Sequence, residues 1–356
     1  GSIVADNQTT KQALQALELA VEGEATRATA AEGTNATSAA NLATLSGVAA
    51  NSTHLGTFTG SIVADNQTTK QALQALETAT EAETTRATAA EGTNATSAAN
   101  LAALESYEAE TGEPVNGSWR YKSHLVFPWI DRLMRTPDIL DVVEDLLGPN
   151  IMVWTTHLYP KEPGDGRFIS WHQDSAHWGL DSNKILTVWI ALTEANEANG
   201  CMRMLPGSHQ GGIAPHRDTW DPNNILTRGQ TIDAEIDESR AVWITLQPGE
   251  ASLHHVDMWH ASKSNETTDR RVGLALRYIT PEARQERVEI DFATLVRGED
   301  RFGHFQSEAM PQATMHPDAV AEHQRIADIQ GQIYLKGTDR EGIGGLVETN
   351  EAHGEV

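Results

Sequence analysis

The chain is short of several residue types, and each shortage excludes something. There is one cysteine, Cys201, in 356 residues, so an internal disulfide and a thiolate metal cluster are both ruled out. Basic residues are scarce: 26 Lys and Arg stand against 50 Asp and Glu, a formal net charge of −24 at pH 7. Such acidity argues against nucleic acid and anionic membrane as partners. No apolar run approaches the roughly 20 residues that a membrane-spanning helix needs, and no signal-peptide pattern opens the chain. A cytoplasmic location is therefore expected, or a virion-associated one if the repeats described next form a stalk. Aromatic residues are few and unevenly placed. All nine tryptophans lie from Trp119 to Trp259, so only the second part of the chain can build a large aromatic core.

What fills the first part is a repeat. Residues 1–45 recur at 60–104 with a constant offset and no gap, Gly1 to Lys11 returning as Gly60 to Lys70. Leu14, Leu17, Val21, Ala28, Ala31, Leu42 and Leu45 fall close to a 3-4 spacing, with Asn35 and Ser38 in the same register and Glu24 breaking it. That spacing predicts helix with an irregular coiled-coil seam. Small seam residues bury little surface, so oligomerisation, as a trimer, is the expected remedy. The unit resembles stalk repeats of bacteriophage tail fibres and other virion appendages. The expected organisation is a helical repeat stalk over 1–105, a polar linker over 106–118 closed by Pro114 and Gly117, a catalytic domain over 119–337, and a disordered tail over 338–356.

The second part reads as short helices followed by strands. Helices are expected at His124–Arg135 and at Pro137–Leu147, the latter punctuated by Pro137 at its start and Gly148 at its end. Strands are expected at 150–159, 168–172, 185–192, 201–205, 240–246, 251–257 and 272–279, separated by Gly/Pro turns. Many short strands of this kind predict a mainly β, double-sheet jelly roll. After Tyr278 the chain turns polar, with 291–305 reading as a tail laid across the barrel and 319–334 as an amphipathic helix.

Chemistry gathers around Trp171-His172-Gln173-Asp174. On a strand, His172 and Asp174 would project from one face, supplying two-thirds of a 2-His-1-carboxylate triad for non-haem Fe(II). His260, 88 residues later, is a candidate third ligand, with His254 and His255 just upstream as competitors. Arg271 or its neighbour Arg270 offers a guanidinium to the far carboxylate of a dicarboxylate co-substrate. His172, Asp174, His260 and Arg271, in that order and with the run Asn199 to His209 between them, resemble the phytanoyl-CoA dioxygenase family of Fe(II)/2-oxoglutarate oxygenases.

That resemblance implies a cupin-like double-stranded β-helix, with Fe(II), 2-oxoglutarate and O2 as cofactor and co-substrates and a small molecule as substrate. It makes His172, Asp174 and His260 the metal ligands, because Ser262, Asn265 and Arg271 follow the family pattern from His260 only. His255 then becomes a barrel-wall residue or one that supports the bound histidines. Arg271 and Ser262 would bind the distal carboxylate, leaving Arg270 as a solvated charge. Trp189 would flank the co-substrate or pack in the core, and His157 would line the pocket or be an ordinary strand residue. His209 reads as a loop residue, and the insert 211–238, with His216, Trp220 and Arg228, as a substrate entrance. Halogenating relatives have Ala or Gly where this chain has Asp174, so hydroxylation is implied. The family also carries a longer N-terminal buttress, and here the repeats stand where much of it should be. Two classes follow: a hydroxylase on an oligomeric stalk, or a virion adhesion protein displaying an inactive oxygenase fold.

Overall fold

The structure is a computed structural model that describes residues 15–24, 71, 74–76, 78, 97–112, 114, 118–342 and 348–349. Contacts divide the chain into two units, residues 1–95 and 96–356. In the first unit the described residues are helical over 15–24, where Val21 is buried and Leu17 half-buried. The expected seam positions Leu14, Ala28, Ala31, Leu42 and Leu45 lie outside the described residues, as does most of what bears on a stalk or trimer.

Among the described residues, the second unit has fourteen strands: β1 Ile151–Lys161, β2 Ile169–His172, β3 Ile185–Ala191, β4 Met202–Met204, β5 His216–Arg217, β6 Thr231–Ile232, β7 Val242–Ile244, β8 Ala251–His255, β9 His260–Ser262, β10 Arg271–Ile279, β11 Phe292–Arg297, β12 Gln306–Ser307, β13 Arg340–Glu341 and β14 Glu348–Thr349. The major sheet runs β12-β11-β1-β10-β3-β8 and the minor sheet β2-β9-β4-β7. Four strands of each, β1, β10, β3 and β8 against β2, β9, β4 and β7, make the jelly roll. The site lies between the two sheets.

An antiparallel sheet usually leaves one face to water, yet β10 and β3 are buried along their whole length and β1 nearly so. Helices explain this. A helix over 97–111 and those at Pro128–Leu133 and Pro137–Leu147 cover the outer face, packing Leu104, Phe127, Ile130, Leu140 and Val143 against Leu158, Val188, Leu274 and Leu276. The helix over 97–111 runs through the stretch read as stalk end and linker. Its apolar positions Leu101, Leu104 and Tyr107 face this core, which is why the contact boundary falls at 95 and 96. These helices buttress the major sheet from its outer face.

The stretch 291–305 is no loose tail. Phe292–Arg297 is β11, pairing with the start of β1 and covering its otherwise free edge. The helix after it spans Pro317–Leu335, two residues longer than expected at its start. Within the span read as a disordered tail, β13 pairs with β14. No described helix is long and apolar enough to cross a membrane.

Candidate metal centre

His172 closes β2 and His260 opens β9, and the two are directly opposed across the minor sheet. Asp174 is not on the strand. β2 ends at His172, and Asp174 stands at the head of the short helical turn Ser175–Trp178 with helical backbone angles. The carboxylate therefore swings back to His172 through a turn rather than by strand alternation. Gln173 fixes that turn: its Nε2 donates to Gly212 O and Asp257 O, both at 2.9 Å, and its Oε1 accepts from Ala214 N at 2.7 Å. One ligand atom from each of His172, Asp174 and His260 lies within 4.8 Å of the other two, and all three residues are buried. His172 Nε2 and Asp174 Oδ1 are 3.4 Å apart.

The tautomers are set by the backbone. His172 Nδ1 lies 2.9 Å from Ser170 O and His260 Nδ1 lies 2.8 Å from Met258 O. A carbonyl can only accept, so each Nδ1 carries the proton and each Nε2 presents a lone pair inward. Burial lowers the His260 pKa well below its ordinary value, keeping the ring neutral. Burial alone would raise Asp174, but the adjacent His172, His260 and Arg277 outweigh it and hold the carboxyl below its usual range. Two neutral imidazole nitrogens and one carboxylate are a donor set that suits Fe(II).

One cavity on this triad is lined also by Tyr159, Thr187, Trp189, Ser262, Arg271 and Arg277. At its far end two basic side chains are buried side by side. Arg271 is paired with Lys161 across β1 and β10, and their side chains are 2% and 0% exposed as residues. Arg271 Nη2 donates to Gly200 O at 3.0 Å while its Nε has no partner. Lys161 Nζ donates to Ser262 Oγ at 2.7 Å and to Lys263 O. Neither group has a carboxylate within ion-pair distance among the described residues. Burial, with the Arg271 charge beside it, pushes Lys161 down to about 6, and burial lowers Arg271 to about 10.

Two glycines make this end possible. A Cβ at Gly200, whose φ is +75°, would collide with Lys263 O and Ser264 O. Gly273 lies under Trp189, and a methyl group there would overlap the indole. Trp189 thus forms a wall of the cavity, with the Arg271 guanidinium 5.4 Å from its ring centroid. Lys161 escaped the sequence reading. The signal was strand alternation: His157, Tyr159 and Lys161 share one face once β1 is carried two residues further.

The other expected residues fall into place around this. The wall position goes to His254, not His255: His254 lines the cavity with its ring 4.9 Å from that of His260. His255 turns away toward Asp257, at 3.7 Å, and the His209 ring, at 5.6 Å. Arg270 faces outward as expected but is paired rather than merely solvated, reaching Glu108 and Glu162 at 2.7 Å. His157 is absent from the Arg271 cavity. It lines a second one, on the other side of His172 and Asp174, with Tyr121, His177, Arg277 and Tyr334. The insert supplies Ile225, Leu226, Thr227 and Gln230 to that second cavity. His216 accepts from Gln173 N at 3.1 Å, supporting the ligand turn, while Arg228 pairs with Asp218.

Residues 59–273, three-fifths of the chain, match the family described as phytanoyl-CoA dioxygenase (PhyH). The chain belongs to the phytanoyl-CoA dioxygenase family. This is a family of Fe(II)- and 2-oxoglutarate-dependent oxygenases, and the donor set here fits that metal. Among curated members, the chain is 34% identical over 180 residues to the probable alpha-ketoglutarate-dependent hypophosphite dioxygenase of Stutzerimonas stutzeri, covering 50% of this chain and 62% of that protein. It is 31% identical over 180 residues to the peroxisomal phytanoyl-CoA dioxygenase of Bos taurus, covering 47% of this chain and 53% of that protein. The chain thus spans between half and two-thirds of the length of these curated relatives. A solved structure described as the non-heme monooxygenase ThoJ in apo form is 35% identical, with a TM-score of 0.58 over 67% of this chain and 92% of that one.

Proposed function

We propose that the chain is an Fe(II)- and 2-oxoglutarate-dependent dioxygenase that hydroxylates an unactivated C–H bond of a small organic molecule, with release of succinate and carbon dioxide. The observation that carries this is one cavity with the His172, Asp174 and His260 donors on its wall and two acid-free buried basic side chains, Arg271 and Lys161, at its end.

His172 and His260 would hold the metal through Nε2 and Asp174 through a carboxylate oxygen. Bound there with 2-oxoglutarate, Fe(II) supplies the oxidative decarboxylation that turns dioxygen into an oxidant for C–H bonds. Arg271 presents a planar fork to the distal carboxylate. Lys161 adds a second charge through the atom that also holds Ser262, and Trp189 closes the side of the channel. Because Asp174 keeps the third protein position filled, no place is left open for a halide, which favours hydroxylation.

The test is an anaerobic titration with Fe(II) and then 2-oxoglutarate, following the weak visible charge-transfer band of the chelate. Wild type is expected to give the band, and His172→Ala to lose it while staying folded by circular dichroism. A folded wild type without the band would refute the reading. It would leave display of an inactive oxygenase fold, as in a virion adhesion protein, as the better one.

A further inference from the structure

Six residues beyond Arg271 on β10 stands a second inward arginine, Arg277. The two share one face of the strand, with Gly273 and Ala275 between them. Arg277 is 4% exposed. Its Nη2 donates to Tyr159 Oη at 2.7 Å, and its guanidinium sits 4.7 Å from the Trp178 ring centroid. Its Nε and Nη1 are buried with no hydrogen-bond partner, and no carboxylate lies within ion-pair distance among the described residues. An unpaired edge on a buried guanidinium is costly to keep.

Two more buried ring nitrogens are unpartnered in the same way, His157 Nε2 and His177 Nε2, and both line the second cavity with Arg277. That cavity's only acidic lining residue is Asp174, already committed to the triad. The rest of its wall is largely aromatic and apolar, with Tyr121, Trp178, Tyr334, Ile225 and Leu226. A polar, positive end and an apolar body, both against the triad, describe the negative image of a small organic acid.

We propose that the second cavity is the substrate site and that it takes the oxyanionic head of a small organic acid, a carboxylate or phosphonate, on the unpartnered N–H donors of Arg277. Its role as substrate site rests on the oxygenase reading. His157 and His177 flank the head group, and the aromatic wall holds the carbon body beside the triad. The acidic exterior, which by itself disfavours a highly anionic substrate, thus encloses an interior built for an anion. The fixed positive charge of the guanidinium favours an oxyanion over a neutral amide.

The experiment is calorimetric titration of the metal-free chain in a Lys161→Met, Arg271→Met background, which removes both basic groups from the co-substrate end. Butanoate, propylphosphonate and the neutral butanamide serve as probes. At least one oxyanion is expected to bind and butanamide not, and adding Arg277→Met is expected to weaken that binding by at least about tenfold. His157→Phe, which keeps an aromatic ring but removes its nitrogens, is expected to weaken it a few-fold and serves if Arg277→Met does not fold. Absence of oxyanion binding, equal binding of butanamide, or unchanged affinity in either folded variant would overturn the proposal. The two readings fail separately: a chain that binds the oxyanion but whose wild type gives no charge-transfer band would sink the oxygenase reading alone.

Discussion

Lys122 and Lys161 are both wholly buried, and they meet opposite surroundings. Lys122 Nζ is fully partnered, reaching Trp154 O at 2.5 Å, Phe292 O at 2.8 Å and Glu308 Oε1 at 2.6 Å. Glu308 also takes His124 at 2.9 Å and Thr294 at 2.7 Å, so this cluster ties the residues before β1 to the chain after β11. Lys161 has a hydroxyl, backbone carbonyls and a second basic group, Arg271, but no acid. A buried charge that serves the fold brings its counter-ion with it. One left without a counter-ion is waiting for a ligand that carries the missing charge.

The largest effect expected from this contrast is on the satisfied cluster. Glu308→Gln leaves Lys122 buried without its counter-charge and should cost about 3–5 kcal/mol of stability by denaturant unfolding. Burial alone would raise Glu308, but Lys122 and His124 hold it down to about 2. Its folded pKa is thus below the unfolded one, so its contribution is full above about 4.5 and is lost as pH falls toward 2. Arg271→Met should do the reverse. Stability of the empty protein should change by under about 1 kcal/mol, because an uncompensated charge leaves with the side chain, while 2-oxoglutarate binding by calorimetry should weaken by about 2–5 kcal/mol.

Gly273→Ala pushes Trp189 off its wall and should cost about 1–3 kcal/mol of stability through overpacking, with a weaker charge-transfer band. A pH series sharpens the contrast further. With Lys161 near 6 in the empty site, an arriving carboxylate favours its charged form, so binding takes up a proton. Affinity should then fall as pH rises above about 6, by up to about tenfold per unit, and Lys161→Met should flatten the slope. In the empty protein the depressed pKa means that the native state binds fewer protons than the unfolded chain from about 6 to 10.5. The Lys161 contribution to stability therefore rises with pH across that window. The smallest effect is expected from Arg270→Ala. It breaks half-exposed pairs with Glu108 and Glu162, worth about 1 kcal/mol or less, and should leave co-substrate affinity unchanged.

The candidate triad was legible from His172 and Asp174 standing two apart and from His260 standing eleven residues before Arg271. The strands were legible as a nearly unbroken apolar run at Ile185–Ala191 and before the Pro206-Gly207 turn at Met202–Met204. What was hidden depends on pairing between distant residues. Lys161 looks like a surface lysine beside a Pro/Gly loop, and only its register against Arg271, 110 residues away, buries it. Arg277 reads as one of several strand arginines until Tyr159 and Trp178 close over it. Phe292–Arg297 has few signals of its own and becomes a strand because β1 offers it an edge. The last turns of the second repeat look like more stalk, yet Leu101 and Leu104 are drawn into the jelly-roll core. Their partners, Trp119 and Phe127, lie past a polar stretch that reads as a boundary.

The central claim is that Lys161 and Arg271 are left without an acid to receive one. The most direct test compares anaerobic binding of 2-oxoglutarate and 2-oxopentanoate, which lacks the distal carboxylate, to the Fe(II)-loaded protein. Wild type should prefer 2-oxoglutarate by about a hundredfold or more, and the Lys161→Met, Arg271→Met double variant should bind the two alike. Equal affinities in wild type would contradict the claim.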